Sequence, residues 1–451
     1  VAPALAGPTV DAALATLEQA LESDRLKAAI PGMAIAITLP DRLLWAHGFG
    51  QADLATKRPV DPHTRFGIGS ISKLLTAMAI MILRDDGKLD LDAPVTRSVP
   101  GFRLQGDDHP EITNRELLLQ LSGLPREPLG LSWDRRVAPS RDQLLADLAS
   151  EPEALPRESR WKYSNLGYAV LGLVIEGAAG RAYADYLPDA VFRPLGMADA
   201  LIDPDPTLPN LASGYGGRGA NGQRVLKPFY PKGGVAPAAG IHASVLDLAG
   251  LLRWMLAGGP PLGDATRREM LRIQASTGDP RFGQGLGFET RQVGEATRIG
   301  HAGLASGFAG RLDIDPALGL GVVVLTNADE NGPTRLVDLA FALLGPAVAA
   351  EAPPPPARQA DPAWNKYLGT YRYEERRQEI VIIDGRLAWQ DPGQAEPART
   401  RVYLDPVGPD RFRFASGGLV GEILTFDTDN TGRVVSMHAA GHIDYRERAG
   451  P

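Results

Sequence analysis

Phe66-Gly67-Ile68-Gly69-Ser70-Ile71-Ser72-Lys73-Leu74-Leu75-Thr76-Ala77 sets a hydroxyl and an amine one helical turn apart where a helix should begin. Residues at i and i+3 share a helix face, so Lys73 is within reach of the Ser70 hydroxyl. The unpaired first-turn N–H groups of such a helix favour developing negative charge. Gly67 and Gly69 permit the turn and close approach that would present a serine to a substrate. The apolar run from Leu74 to Leu83 buries the rest of the helix. Taken alone, Ser-x-x-Lys is a common spacing, and its ordinary reading is a capped helix.

The 451 residues suffice for two or three domains with a full-sized core. An apolar content of 44 % and a charged content of 22 % are those of an ordinary globular protein. A formal charge of -7 with no basic block argues against nucleic acid as a partner. Cysteine is absent, which excludes disulfides, thiol nucleophiles and cysteine-ligated zinc. No uninterrupted apolar run approaches the roughly 18 residues that span a bilayer, so no integral membrane segment is expected. The opening Val1-Ala2-Pro3-Ala4-Leu5-Ala6 is similar to the end of a signal peptide and points to a periplasmic or secreted protein, with a cytoplasmic one left open.

Leu14, Leu17 and Leu21 recur at helical spacing in an amphipathic first helix from Val10 to Leu26. Met33–Ile37 and Arg42–Ala46, separated by Pro40-Asp41, read as a hairpin that starts a sheet. Helices are expected over Glu111–Leu121, Ala169–Gly177, Val245–Leu256 and Thr334–Leu344, with long loops over Gly214–Gly240. Gly285–Phe288, Thr297–Gly300, Phe308–Ile314 and Gly321–Thr326 read as further strands of one antiparallel sheet. A sheet flanked by helices, with a helical insertion between its early and late strands, is an α+β domain, placed at residues 10–346. Residues 347–361, with Pro353-Pro354-Pro355-Pro356, form an extended linker. Over 362–451 the period becomes two, and about eight short strands point to a small antiparallel β-barrel.

Three stretches together say more than any one of them. Ser70-x-x-Lys73, Tyr163-Ser164-Asn165 and His301-Ala302-Gly303 occur in that order, with about 90 and about 140 residues between them. The pattern resembles the serine β-lactamase and penicillin-binding protein superfamily, in its class C β-lactamase-like branch, which includes D-aminopeptidases, family VIII esterases and penicillin-binding-protein-type thioesterases. Leu118–Pro125, Arg193–Met197 and Val322–Asn327 support the likeness, and the segment from Tyr367 resembles a lipocalin-like barrel.

The resemblance implies Ser70 as acyl-accepting nucleophile, Lys73 as its base and Tyr163 as the group that relays the proton to the leaving group. It implies that Asn165 orients Lys73 and binds substrate, that His301 and Gly303 line the substrate cleft, and that the Leu304 N–H joins that of Ser70 in holding the oxyanion. Read singly, Tyr163 is a core or capping tyrosine, Asn165 a helix cap and His301 a polar residue at a strand edge. Many relatives that cleave carboxylate-bearing substrates have Lys-Thr-Gly where this chain has His301-Ala302-Gly303, which shifts the expectation towards esters, amides or D-amino-acid peptides. Gln120-Leu121 stands where His-Thr is usual.

The expected function is therefore a serine hydrolase cleaving an ester or amide of a small molecule or peptide, without cofactor or metal. A β-lactamase, a penicillin-binding-protein-type thioesterase or cyclase, and a non-catalytic penicillin-binding sensor are the alternatives. His438 and His442 have a metal-like spacing, but lie between strands and lack the glutamate of the helical zinc motif.

Overall fold

The computed structural model describes residues 9–107, 110–218, 224–329, 332–351, 359–394 and 396–447. The leader-like start at Val1–Ala6 and the proline run Pro353–Pro356 lie outside them. The chain divides after Glu351 into two compact units.

The first unit is built on a nine-stranded sheet. Its order is Arg58–Pro59, Leu43–Asp53, Gly32–Thr38, Leu320–Thr326, Phe308–Asp315, Ala296–Ala305, Glu289–Val293, Phe282–Gln284 and Ala275–Ser276, with antiparallel neighbours throughout. The central strands Gly32–Thr38 and Leu320–Thr326 are buried along their whole length, which explains why both read as continuous apolar runs. Alternate side chains face opposite layers. Met33, Ile35, Val322 and Val324 pack with Leu17 and Leu21 of the helix Val10–Lys27 and with Leu336, Val337 and Phe341 of the helix Gly332–Glu351. Ala34, Ala36, Val323 and Leu325 face the other core, formed with the helices Ser72–Asp85, Asn165–Ala179 and Val245–Ala257. These three helices belong to the excursion the chain makes between the sheet's early and late strands.

Several local expectations change. The helix Gly332–Glu351 runs past the boundary placed at 347, and by length and composition it could cross a membrane; half of it is buried in the fold, with Leu336, Ala340 and Leu344 in the sheet-facing core. Gly285–Phe288 is the connection between two strands. Gly287 has φ +92°, and a Cβ there would lie 2.5 Å from that of Ala77, so the chain turns where the sheet meets the helix behind Ser70. The helix expected over Glu111–Leu121 is only Asn114–Leu118, opened by a Thr113–Glu116 capping box, and Gln120 beyond it takes φ +62°. Within the expected loop Gly214–Gly240, Gly214–Arg218 and Arg224–Lys227 pair as strands and Ala236–Ala239 forms a helical turn. The helix Asp264–Leu271, half of whose residues are charged, is an addition to the expected elements.

The second unit is a closed barrel of eight strands in sequential order, from Gly369–Tyr373 to His442–Arg446, and these first and last strands pair to close it. Its core holds Tyr371, Leu387, Phe412, Phe414, Phe426 and Met437. His438 hydrogen-bonds Asp427, and the His442 ring lies 5.1 Å from that of Tyr373.

Candidate active site

Ser70 lies in a 3-10 turn, Gly69–Ile71, and the α-helix begins only at Ser72. The hydroxyl and amine still converge. The Lys73 Nζ is 3.1 Å from Ser70 Oγ, and the Tyr163 hydroxyl approaches the same oxygen at 2.7 Å. Lys73 is fully buried and also donates to Asn165 Oδ1 at 2.7 Å and to the Ala238 carbonyl at 2.9 Å. Both of those oxygens can only accept.

Tyr163 is placed by its neighbours. Ser164 caps the helix Asn165–Ala179 by accepting from the Gly167 N–H, and its own hydroxyl donates to the Pro125 carbonyl. The Ser164 backbone N–H donates to the Gln120 side chain at 2.7 Å, so the glutamine standing where histidine is usual holds the tyrosine segment. Asn165, the first helical residue, receives Lys73 on its oxygen and donates its amide nitrogen to both carboxylate oxygens of Glu127, at 2.8 and 3.0 Å. The donor expected to meet substrate is therefore engaged by Glu127. Sequence gave no signal for Glu127, nor for the Ala238 carbonyl, because a backbone acceptor leaves no trace in residue type.

The third stretch is the strand Ala296–Ala305. Gly303 and Leu304 pack their backbone on the serine turn: a Cβ on Gly303 would lie 2.1 Å from the Ile68 carbonyl oxygen, and one on Gly69 would lie 2.7 Å from Leu304 N. Gly69 has φ +53°, so glycine is required there for conformation and for space. The Leu304 side chain is exposed. His301 is buried, its Nδ1 against the Ala302 carbonyl and its Nε2 3.6 Å from Glu289. Its ring centre is 6.4 Å from that of Tyr163, and it makes no hydrogen bond to Ser70, Lys73 or Tyr163 among the described residues. Glu289 in turn meets Arg311, whose guanidinium is bound to Asp313.

Electrostatics separate the two partners of Ser70. Burial pulls Lys73 down to about 7, against the opposing pull of the Glu127 carboxylate. Burial pushes the Tyr163 phenol well above its ordinary range, so it is neutral at working pH. Burial also holds the His301 imidazole below its ordinary value, with Glu289 opposing. The arrangement presents an alcohol to an amine that gives up its proton near neutrality and to a phenol that donates.

The Beta-lactamase family profile matches residues 14–346. Esterase EstB of Burkholderia gladioli is 32 % identical over 373 residues, covering 72 % of this chain and 92 % of that protein. Penicillin-binding protein 4* of Bacillus subtilis is 36 % identical over 166 residues, covering 36 % of this chain and 35 % of that protein. Protein flp of Staphylococcus aureus is 26 % identical, and this chain covers 64 % of it, so both of these relatives extend well beyond the match. In fold, the chain is similar to the octameric penicillin-binding protein homologue from Pyrococcus abyssi, with a TM-score of 0.64, 24 % identity and coverage of 96 % of this chain and 98 % of that one. It is likewise similar to SurE, with a TM-score of 0.63, 24 % identity and coverage of 97 % and 99 %. A match over most of the first unit, together with a relative aligned over nearly its full length, makes this chain a member of the beta-lactamase family.

Proposed function

We propose that this beta-lactamase-family hydrolase works through an acyl-enzyme on Ser70 and opens an ester or amide bond of a small ester or a short peptide. The observation that carries the proposal is the position of Ser70 Oγ, between Lys73 Nζ at 3.1 Å and the Tyr163 hydroxyl at 2.7 Å. A neutral lysine has two N–H bonds, and Asn165 Oδ1 and the Ala238 carbonyl take both. Its lone pair is left for the Ser70 proton. As that proton moves to Lys73, Oγ bonds to the substrate carbonyl carbon, and the oxyanion falls to the N–H groups of Ser70 and Leu304. The neutral phenol of Tyr163 then gives its proton to the departing alkoxide or amine and is reprotonated from Lys73. Water releases the acyl group by the same steps with acid and base exchanged.

Likeness to a named esterase over most of both chains supports an ester substrate. A fluorophosphonate probe is expected to label Ser70 covalently, and Ser70→Ala to lose both label and hydrolysis of p-nitrophenyl esters. A folded wild-type protein that takes no label and turns over neither nitrophenyl esters nor D-alanyl amides overturns the proposal.

A further inference from the structure

A cavity of about 190 Å³ adjoins the Ser70 centre, where Gly67, Ala239 and Ala305 line it. Ala239 follows the residue whose carbonyl accepts from Lys73, and Gly67 and Ala305 flank the contact between Gly69 and Leu304. The lining also contains Tyr230, Lys232 and His242, besides Ser213, Ser306 and Lys227, whose ammonium is paired with Asp329 at 2.9 Å. Tyr230, Lys232 and His242 are 7 %, 6 % and 5 % exposed. The Tyr230 hydroxyl and His242 Nδ1 have no hydrogen-bond partner among the described residues. The Lys232 ammonium donates to the Tyr230 carbonyl at 2.8 Å and lies 3.5 Å from the centre of the Tyr230 ring. It makes no ion pair within 4.0 Å among the described residues; the Asp203 carboxylate, which accepts at 2.8 Å from the backbone N–H groups of Lys232 and Gly233, acts on the ammonium from farther away. Burial lowers Lys232 to about 8, which leaves it charged at neutral pH.

An unpaired buried donor is destabilising, and a buried cation is stabilised by an anion in contact with it. An occupant that accepts hydrogen bonds and has negative charge answers both requirements. We infer that the cavity is the acyl-side subsite and takes a compact acyl group ending in a carboxylate, with Lys232 as counter-ion and the Tyr230 hydroxyl as donor. This inference rests on the acyl-enzyme reading above. None of Ser70, Lys73, Tyr163 and Asn165 lines the cavity, and the acyl branch is assigned on the lining residues Gly67 and Ala305, which flank the Gly69–Leu304 contact, whereas the leaving group has to meet the Tyr163 hydroxyl.

p-Nitrophenyl hemiglutarate and p-nitrophenyl pentanoate present the same acyl chain with and without a terminal carboxylate. Wild-type kcat/KM is expected to favour the hemiglutarate about tenfold or more, chiefly through KM, and Lys232→Met to lower that ratio by about tenfold. Glutarate is expected to raise the Tm of the Ser70→Ala protein and to leave that of Ser70→Ala/Lys232→Met unmoved. Equal wild-type rates for the two esters, or a ratio unchanged in Lys232→Met, overturns the subsite. Should Lys232→Met fail to fold, the wild-type ratio and the glutarate shift on Ser70→Ala decide it. If neither ester is hydrolysed while glutarate still shifts the Tm, the subsite stands and the acyl-enzyme reading falls; equal turnover with no shift means the reverse.

Discussion

In the proposed reaction Lys73 is the residue on which acid–base behaviour turns. Burial brings its pKa to about 7, and only the neutral amine can receive the Ser70 proton. Below that pH the inactive ammonium form accumulates, so kcat/KM is expected to fall about tenfold per pH unit on the acid side and to level off above neutrality. A pH profile with a neutral p-nitrophenyl ester checks it. Glu127 provides a signed test of the same assignment. Its negative charge favours the ammonium form, so Glu127→Gln, which keeps an acceptor for the Asn165 amide, is expected to move the acid limb of the profile to lower pH. A profile that stays in place shows that the titrating group is not Lys73.

Between elements, the decisive contact is the strand Ala296–Ala305 against the turn Gly69–Ile71. Gly303→Ala would press a methyl group into the Ile68 carbonyl and part the two N–H groups that the proposed reaction uses for the oxyanion. A shift of about 1 Å costs on the order of a hundredfold in rate, and that loss is expected in kcat/KM with the circular dichroism spectrum retained. Gln120 ties the end of one short helix to the start of the Tyr163 segment. Gln120→Ala leaves the buried Ser164 N–H without its partner and is expected to destabilise the fold by about 1–3 kcal/mol in urea unfolding, with a loss of turnover as Tyr163 drifts.

In the molecule as a whole, Ser70, Lys73, Tyr163, Asn165, Glu127 and Leu304 all belong to the unit that ends at Glu351, and the barrel has its own aromatic core. A chain ending at residue 351 is therefore expected to keep fluorophosphonate labelling at Ser70 and hydrolysis of simple nitrophenyl esters. Loss of both in a truncated protein that still unfolds cooperatively would place part of the catalytic apparatus in the barrel.

Much of this architecture was legible because burial leaves periodic marks. The two fully buried strands at the centre of the sheet read as unbroken apolar runs, and the barrel strands alternate, as Arg411–Phe414 does with exposed arginines and buried phenylalanines. Ser70 and Lys73 were readable for a similar reason: three residues of separation place them together whether the turn is 3-10 or α. Glu127, the Ala238 carbonyl and the glutamine at 120 were not, since each acts on a partner far away in the chain through hydrogen bonds that no local pattern records. The placing of His301 beside Glu289, and the gathering of Tyr230, Lys232 and His242 about one cavity, arise from strand register and helix packing. Local order follows from neighbours along the chain, whereas the pKa of a buried amine depends on which distant charges and carbonyls the completed fold brings within a few ångströms of it.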